Sequence, residues 1–229
     1  MIKDIKLGFG LIRFAPKYKT NIAFCIIFPV IGLIYEIMNI FGNPGFTLGG
    51  YFVALAPIYL VQILYSIGLS GMVQSSSAKR KLMTSSVSMV YSSVMILGFL
   101  LIAGIKAFAG YYHNWENVRT VSTGLLLSSL IMVFSTFYVQ VVYRWIVAGY
   151  LILIPMVMLL VFGGVGSQDR VTGLIKIAQM IPFTGNYVLT FLISLVIVIA
   201  NAFLFYGLSV AFYRKPLASR LFKRMLERA

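Results

Sequence analysis

Six long runs of apolar residues dominate this sequence, and short polar or basic segments separate them. Each run reaches, or nearly reaches, the ~20 residues with which an α-helix crosses a ~30 Å hydrocarbon core. Barrel strands would be about half as long, and at this length only helices satisfy their own backbone in lipid. The pattern predicts an all-α, polytopic membrane protein with six transmembrane helices in a single domain. The predicted spans lie at about 21–41, 48–70, 87–109, 121–142, 145–163 and 187–212.

Three amphipathic segments accompany these spans. In residues 1–20, apolar side chains recur at helical spacing beside a basic strip, which predicts a cytoplasmic interfacial helix that ends near Pro16. A disordered basic tail is the alternative for this segment. Residues 167–186 show a similar period, which predicts a short outer helix between spans five and six. Residues 213–229 form a basic tail.

Charge is scarce and unevenly distributed. Only 10% of the 229 residues are charged and 60% are hydrophobic, whereas a soluble domain carries about 25% charged residues, so soluble globular classes are excluded. Of the 19 Lys and Arg residues, 15 fall on one predicted side of the membrane, because the N-terminal segment, residues 71–86, Arg144 and the tail lie there. This bias predicts a multi-pass protein with both termini in the cytoplasm, and it explains the basic composition without a nucleic-acid partner.

The sequence offers little material for catalysis. It has one histidine, one cysteine and no G-x-x-x-x-G-K-[ST] phosphate loop. Its only aspartates are Asp4 and Asp169, so a magnesium site within the chain is not expected. We therefore predict that this chain is not an enzyme, that it holds no metal or cofactor, and that it does not hydrolyse ATP by itself.

Three polar residues inside predicted spans are candidates for a substrate path or gate. Glu36 is the only acidic residue well inside a span, and intramembrane carboxylates are costly. It either lines a path or has a structural role, in which it pairs with Lys106 of span three or snorkels outward. Gln62 and Asn201 lie near mid-membrane, where they either bond to neighbouring helices or contact substrate.

Residues 71–86, with the sequence GMVQSSSAKRKLMTSS, form the largest inner loop. The basic triplet in this loop follows from the charge bias alone. Apart from the two termini, the same loop is also the largest predicted cytoplasmic segment to which a partner protein could bind. The sequence alone leaves both interpretations open.

The overall layout resembles that of type 2 ABC transporter permeases, the transmembrane subunits of exporter type. That family has an interfacial helix before span one, six spans with both termini inside, a short cytoplasmic coupling helix between spans two and three, and short outer helices between spans five and six. Residues 1–20, 71–86 and 167–186 of this chain occupy the corresponding places. The resemblance covers essentially the whole chain, and it is one of layout rather than of sequence motif.

The resemblance implies a partner ATPase of the ABC class, which would bind ATP and magnesium and dock on residues 71–86. It also implies a homodimer or heterodimer with a second permease in the bacterial cell membrane. The substrate would be hydrophobic or amphipathic, such as a peptide, lipid or drug, and it would be moved outward. The residues that this implies for coupling are Ser77, Lys79, Arg80, Lys81, Leu82 and Met83.

Two other functions remain open from the sequence. An ion-coupled secondary transporter is expected to have inverted repeats, broken helices and more buried charge. In this sequence only Glu36 could provide such a buried charge. A membrane scaffold without catalytic or transport activity is compatible with every feature above.

Overall fold

The computed structural model describes residues 2–12, 15, 18–41, 48–68, 73, 75–77, 79–116, 118–145, 151 and 180–214. All regular structure in these ranges is helical. The helices are α1 (Ile2–Ile12), α2 (Tyr18–Met38), α3 (Leu48–Gly68), α4 (Lys79–Tyr112), α5 (Val118–Val142) and α6 (Tyr187–Ala211), and a short 3₁₀ helix (Pro182–Gly185) precedes α6.

The structure confirms five helices that are long and apolar enough to cross a membrane, namely α2 to α6. They correspond to predicted spans one to four and span six. Predicted span five, at 145–163, lies almost entirely outside the described residues. The same holds for most of the predicted outer helix at 167–186 and of the basic tail.

Helix α4 starts earlier than its predicted span. The span was expected to begin at residue 87, but the helix begins at Lys79 and runs without interruption for 34 residues. Its first turn is α-helical, Leu82–Ser86 form a π-helical segment, and Val87–Tyr112 are again α-helical. Hydropathy marks where a chain becomes apolar, whereas a helix continues until a residue stops it. Residues 79–87 contain no glycine or proline, so nothing local ends the helix there.

Helices α3 and α5 form the centre of the described bundle. In their most apolar windows 72% and 67% of the residues are buried, compared with 11% for α2 and 28% for α6. Helix α3 packs against α2, α4 and α5, and α6 packs against α4 and α5. Large buried side chains fill the space between them, and Tyr91 of α4 stacks on Phe205 of α6 with ring centroids 3.9 Å apart.

Glycines bring α2 and α3 into close contact. A Cβ atom at Gly49 would collide with the Gly32 carbonyl oxygen and with the Cγ atom of Glu36. A Cβ atom at Gly32 would in turn lie 2.6 Å from the Gly49 carbonyl oxygen. Small residues let membrane helices approach backbone to backbone, and here they place Glu36 directly against α3.

Helix α1 packs against the ends of α3 and α4. Gly8 faces Val90 of α4, and Ile12, the last residue of α1, and Ala15 are also buried. Phe9 of the same helix is 44% exposed. The helix ends at Ile12, before Pro16. Its position on the inner leaflet stays a prediction.

Candidate coupling site and intramembrane ion pair

The first turns of α4 contain a π-helical segment, Leu82–Ser86, and hydroxyl side chains support it. Thr84 Oγ1 donates to the Arg80 carbonyl oxygen at 2.7 Å, and Ser88 Oγ donates to the Thr84 carbonyl oxygen at 2.7 Å. Short π-helical segments inside α-helices are frequent at functional sites. Here the segment lies within residues 71–86, the predicted coupling loop.

A salt bridge fastens α1 to this segment. Lys81 Nζ lies 2.8 Å from Asp4 Oδ1, and Ser85 Oγ donates to Asp4 Oδ2 at 3.3 Å. The hydrogen bond from Lys81 holds the pKa of the Asp4 carboxyl below its ordinary value, partial desolvation works in the opposite direction, and the Lys81 charge lowers the pKa further. Because this pKa is lowered in the folded protein, the contact stabilises α1 fully above pH ~4 and is lost as the pH falls through the lowered value.

The structure divides the six predicted coupling residues into two groups. Ser77, Arg80 and Lys81 are exposed and Lys79 is half-buried, so all four are accessible at the surface. Leu82 and Met83, with 2% and 8% exposure, are buried within the chain. Met83 packs its Sδ atom onto Gly68 of α3. In this conformation the two apolar side chains hold α4 to the bundle, and the surface that a partner can reach is narrower than predicted.

Glu36 and Lys106 form a buried ion pair near the other end of α4. Lys106 Nζ lies 2.8 Å from Glu36 Oε2, and the two side chains are 2% and 0% exposed. The Gly50 backbone N–H donates to Glu36 Oε1 at 3.2 Å. The structure therefore contains the pairing with Lys106, and a role of Glu36 in lining a substrate path stays a prediction. The pair joins α2, α3 and α4 at one point.

Gln62 and Asn201 both bond to neighbouring parts of the protein. Tyr143, which follows α5, donates through its hydroxyl to Gln62 Oε1 at 3.4 Å. Asn201 Nδ2 donates to the Met132 carbonyl oxygen of α5 at 3.2 Å. These bonds are of the inter-helical type that the sequence left open. A role of either residue in contacting substrate stays a prediction.

The candidate residues thus form separate groups rather than one site. The coupling residues lie at the start of α4, and the ion pair lies near its end. Lys81 and Lys106 are about 38 Å apart along the helix axis, at a rise of 1.5 Å per residue. A single helix connects the two groups.

Arg144 is a buried cation whose role the sequence did not reveal. It is only 8% exposed, although it was counted merely as a topological charge. Its NH1 group donates to the carbonyl and side-chain oxygens of Gln140, both at 2.9 Å, and its Nε donates to the Phe212 carbonyl oxygen at 3.3 Å. The guanidinium also lies 5.6 Å from the centroid of the Tyr65 ring and 5.5 Å from that of the Phe212 ring.

Helix ends stabilise this charge. Arg144 follows the C-terminus of α5, and Phe212 follows that of α6, so the guanidinium faces the negative ends of two helix dipoles. No carboxylate pairs with it in the described residues. Gln140 extends the network to α6, because its Nε2 donates to Ser209 Oγ at 2.6 Å. The sequence signal was a glutamine four residues before an arginine at the end of a span.

Metal binding finds no support within the described ranges, where no three His, Cys, Asp or Glu side chains come together. No family model, curated protein or solved structure matches this chain. The layout of the spans and the contacts along α4 are therefore the basis for a functional proposal.

Proposed function

We propose that this chain is the permease subunit of an ABC exporter that moves a hydrophobic or amphipathic substrate outward. A separate ATPase of the ABC class would dock on residues 71–86 and supply ATP and magnesium, and a second permease would complete the path. The observation that supports this best is the continuity of α4. The basic triplet at residues 79–81 and the third predicted span belong to one 34-residue helix, about 50 Å long.

Because α4 is continuous, a force applied at residues 79–81 would be transmitted along the whole helix. A flexible loop would absorb a displacement, whereas a helix passes it to all of its residues. A push on the Lys79 end would move Lys106 as well. Lys106 is paired with Glu36 of α2, and Glu36 accepts a hydrogen bond from Gly50 of α3, so three spans would respond together.

Helix α1 belongs to the same moving unit in this proposal. The contacts of Asp4 with Lys81 and Ser85 tie α1 to the π-helical segment, so α4 cannot tilt without taking α1 along or breaking these contacts. Such a clamp would keep the docking segment in one orientation while no ATPase is bound. The bridge is partly exposed, so salt would weaken it.

The positive charge of residues 79–81 predicts which kind of ATPase surface would bind them. Arg80 and Lys81 are exposed and Lys79 is half-buried, so the docking groove on the ATPase is expected to be acidic. Charges at the edge of an interface act mainly on the association rate and on its salt dependence. Association should therefore slow as ionic strength rises.

Copurification with the ATPase and ATPase activity in the complex test this proposal. Lys79 is the best single target, because Lys81 is held by Asp4 and Arg80 lines a separate cavity. Lys79→Glu should slow assembly and lower the coupled ATPase activity, and Lys19→Glu, at the exposed start of α2, serves as the charge-matched control. Equal assembly and equal coupled activity in the two variants would exclude docking at this segment.

An ion-coupled secondary transporter is the second candidate, and the buried Glu36–Lys106 pair is the observation that favours it, since paired charges within spans often carry ions. The close contact of Gly49 with the Glu36 side chain works against it, because a carrier site needs room for water or an ion. Transport that survives ATP depletion but collapses with the proton gradient would establish this second candidate. Loss of transport on ATP depletion alone supports the permease.

A further inference from the structure

The first turns of α4 present two different faces. Lys81 and Ser85 face Asp4 of α1. Arg80 and Thr84, one position earlier in each turn, line a cavity against the end of α6. The cavity has a volume of about 500 Å³, and its lining consists of Arg80, Thr84, Val210, Ala211, Tyr213 and Arg214. This volume lies within the 300–1,000 Å³ that ligand pockets commonly have.

The lining of this cavity suits an anion. Arg80 from α4 and Arg214 from the end of α6 both line this cavity, and neither forms an ion pair with a carboxylate in the described residues. Planar guanidinium groups bind phosphate with two parallel hydrogen bonds. The C-terminal dipole of α6 opposes an anion, and the charge of Arg214 offsets it.

We propose that this cavity binds a phosphate group and that an anionic phospholipid carries it. The cavity lies at the ends of two membrane-spanning helices, where lipid headgroups are found, and Val210 and Ala211 give it an apolar side. Basic pockets between transmembrane helices are typical binding sites for anionic headgroups. A bound phosphate would bridge α4 and α6, and it would restrain the same turn that Asp4 holds from the opposite side.

Native mass spectrometry of the full chain, released from detergent, measures this binding directly. The probes are phosphatidylglycerol, phosphatidylcholine with the same acyl chains, and inorganic phosphate. We expect the wild-type protein to retain phosphatidylglycerol at least about tenfold more strongly than phosphatidylcholine, because the two arginines repel the choline cation that accompanies the phosphate of phosphatidylcholine. Arg80→Gln with Arg214→Gln should reduce retention at least about tenfold.

A matched control separates a site from general charge attraction. Lys6→Gln with Lys19→Gln removes two exposed positive charges from the same end of the protein and should change retention less than about threefold. An equal loss in both double variants would overturn the proposal. Equal retention of the two lipids by the wild-type protein would also overturn it.

Two further arms distinguish the source of the anion. If millimolar inorganic phosphate displaces phosphatidylglycerol and raises the melting temperature as much as the lipid does, the anion is a free phosphate and the lipid assignment fails. If neither anion binds but Arg214→Gln prevents copurification with an ATPase, the cavity holds an acidic side chain of a partner, and the proposal is overturned. Arg214 lies outside residues 71–86, so its effect on lipid is independent of a failure of docking there.

Discussion

Lys106→Met removes the cation from an ion pair whose two side chains are almost fully buried. Removing one partner of a buried pair typically costs about 3–5 kcal/mol, because the remaining charge has no compensation. We therefore expect a loss of about 3–5 kcal/mol in the free energy of unfolding.

The double variant Glu36→Gln with Lys106→Met isolates the pair. Glutamine keeps an oxygen for the Gly50 N–H, and methionine keeps the length of the lysine stem, so the packing against Gly49 is preserved. Replacing both partners of a buried pair with uncharged residues is often neutral or stabilising. We expect the double variant to lie within about 1 kcal/mol of the wild-type protein and well above Lys106→Met.

Reversible unfolding by SDS in mixed micelles, followed by circular dichroism, measures these differences. A Lys106→Met variant as stable as the wild-type protein, or a double variant less stable than Lys106→Met, would refute this account of the pair.

Three other predictions follow from contacts at single residues. Asp4→Asn should increase deuterium exchange in α1 at neutral pH, whereas Lys6→Gln should not. Loss of the same contact in the wild-type protein should increase the exchange of α1, relative to its intrinsic rate, when the pH is lowered below ~4. Unchanged exchange in Asp4→Asn would contradict the clamp. Gly49→Ala should cost about 1–3 kcal/mol through overpacking, whereas Gly10→Ala, which meets no atom within 4 Å, should be neutral or stabilising in the same SDS unfolding. Arg144→Met should cost about 2 kcal/mol or more in that assay, since Gln140 and the ends of α5 and α6 lose a charged donor; wild-type stability would show that the network contributes nothing.

Five of the six predicted spans are helices long and apolar enough to cross a membrane, and they could be predicted because run length is itself a physical requirement of the membrane. The sequence also placed Glu36 and Lys106 at similar depths on spans one and three, so that pairing was one of the stated alternatives. That the pair is buried between closely packed helices could not be predicted. The contact of Gly49 with Glu36 depends on how α2 and α3 approach each other, and no local pattern encodes that approach.

The start of α4 was harder to predict for a related reason. The change from apolar to polar and basic residues near position 86 is the predicted end of span three, and the helix continues beyond it to Lys79. Leu82 and Met83 were among the coupling residues that the family resemblance implied. Their burial against the bundle, with Met83 on Gly68, is a tertiary contact between distant segments.

The dependence on a partner ATPase can be tested by isolating the protein from its native membrane in a mild detergent and identifying the proteins that copurify with it. We expect an ATPase of the ABC class in stoichiometric amount, released by high salt and retained less well by Lys79→Glu than by Lys19→Glu. A purified chain that carries no such ATPase, and that still moves substrate across vesicles without ATP, would contradict this expectation.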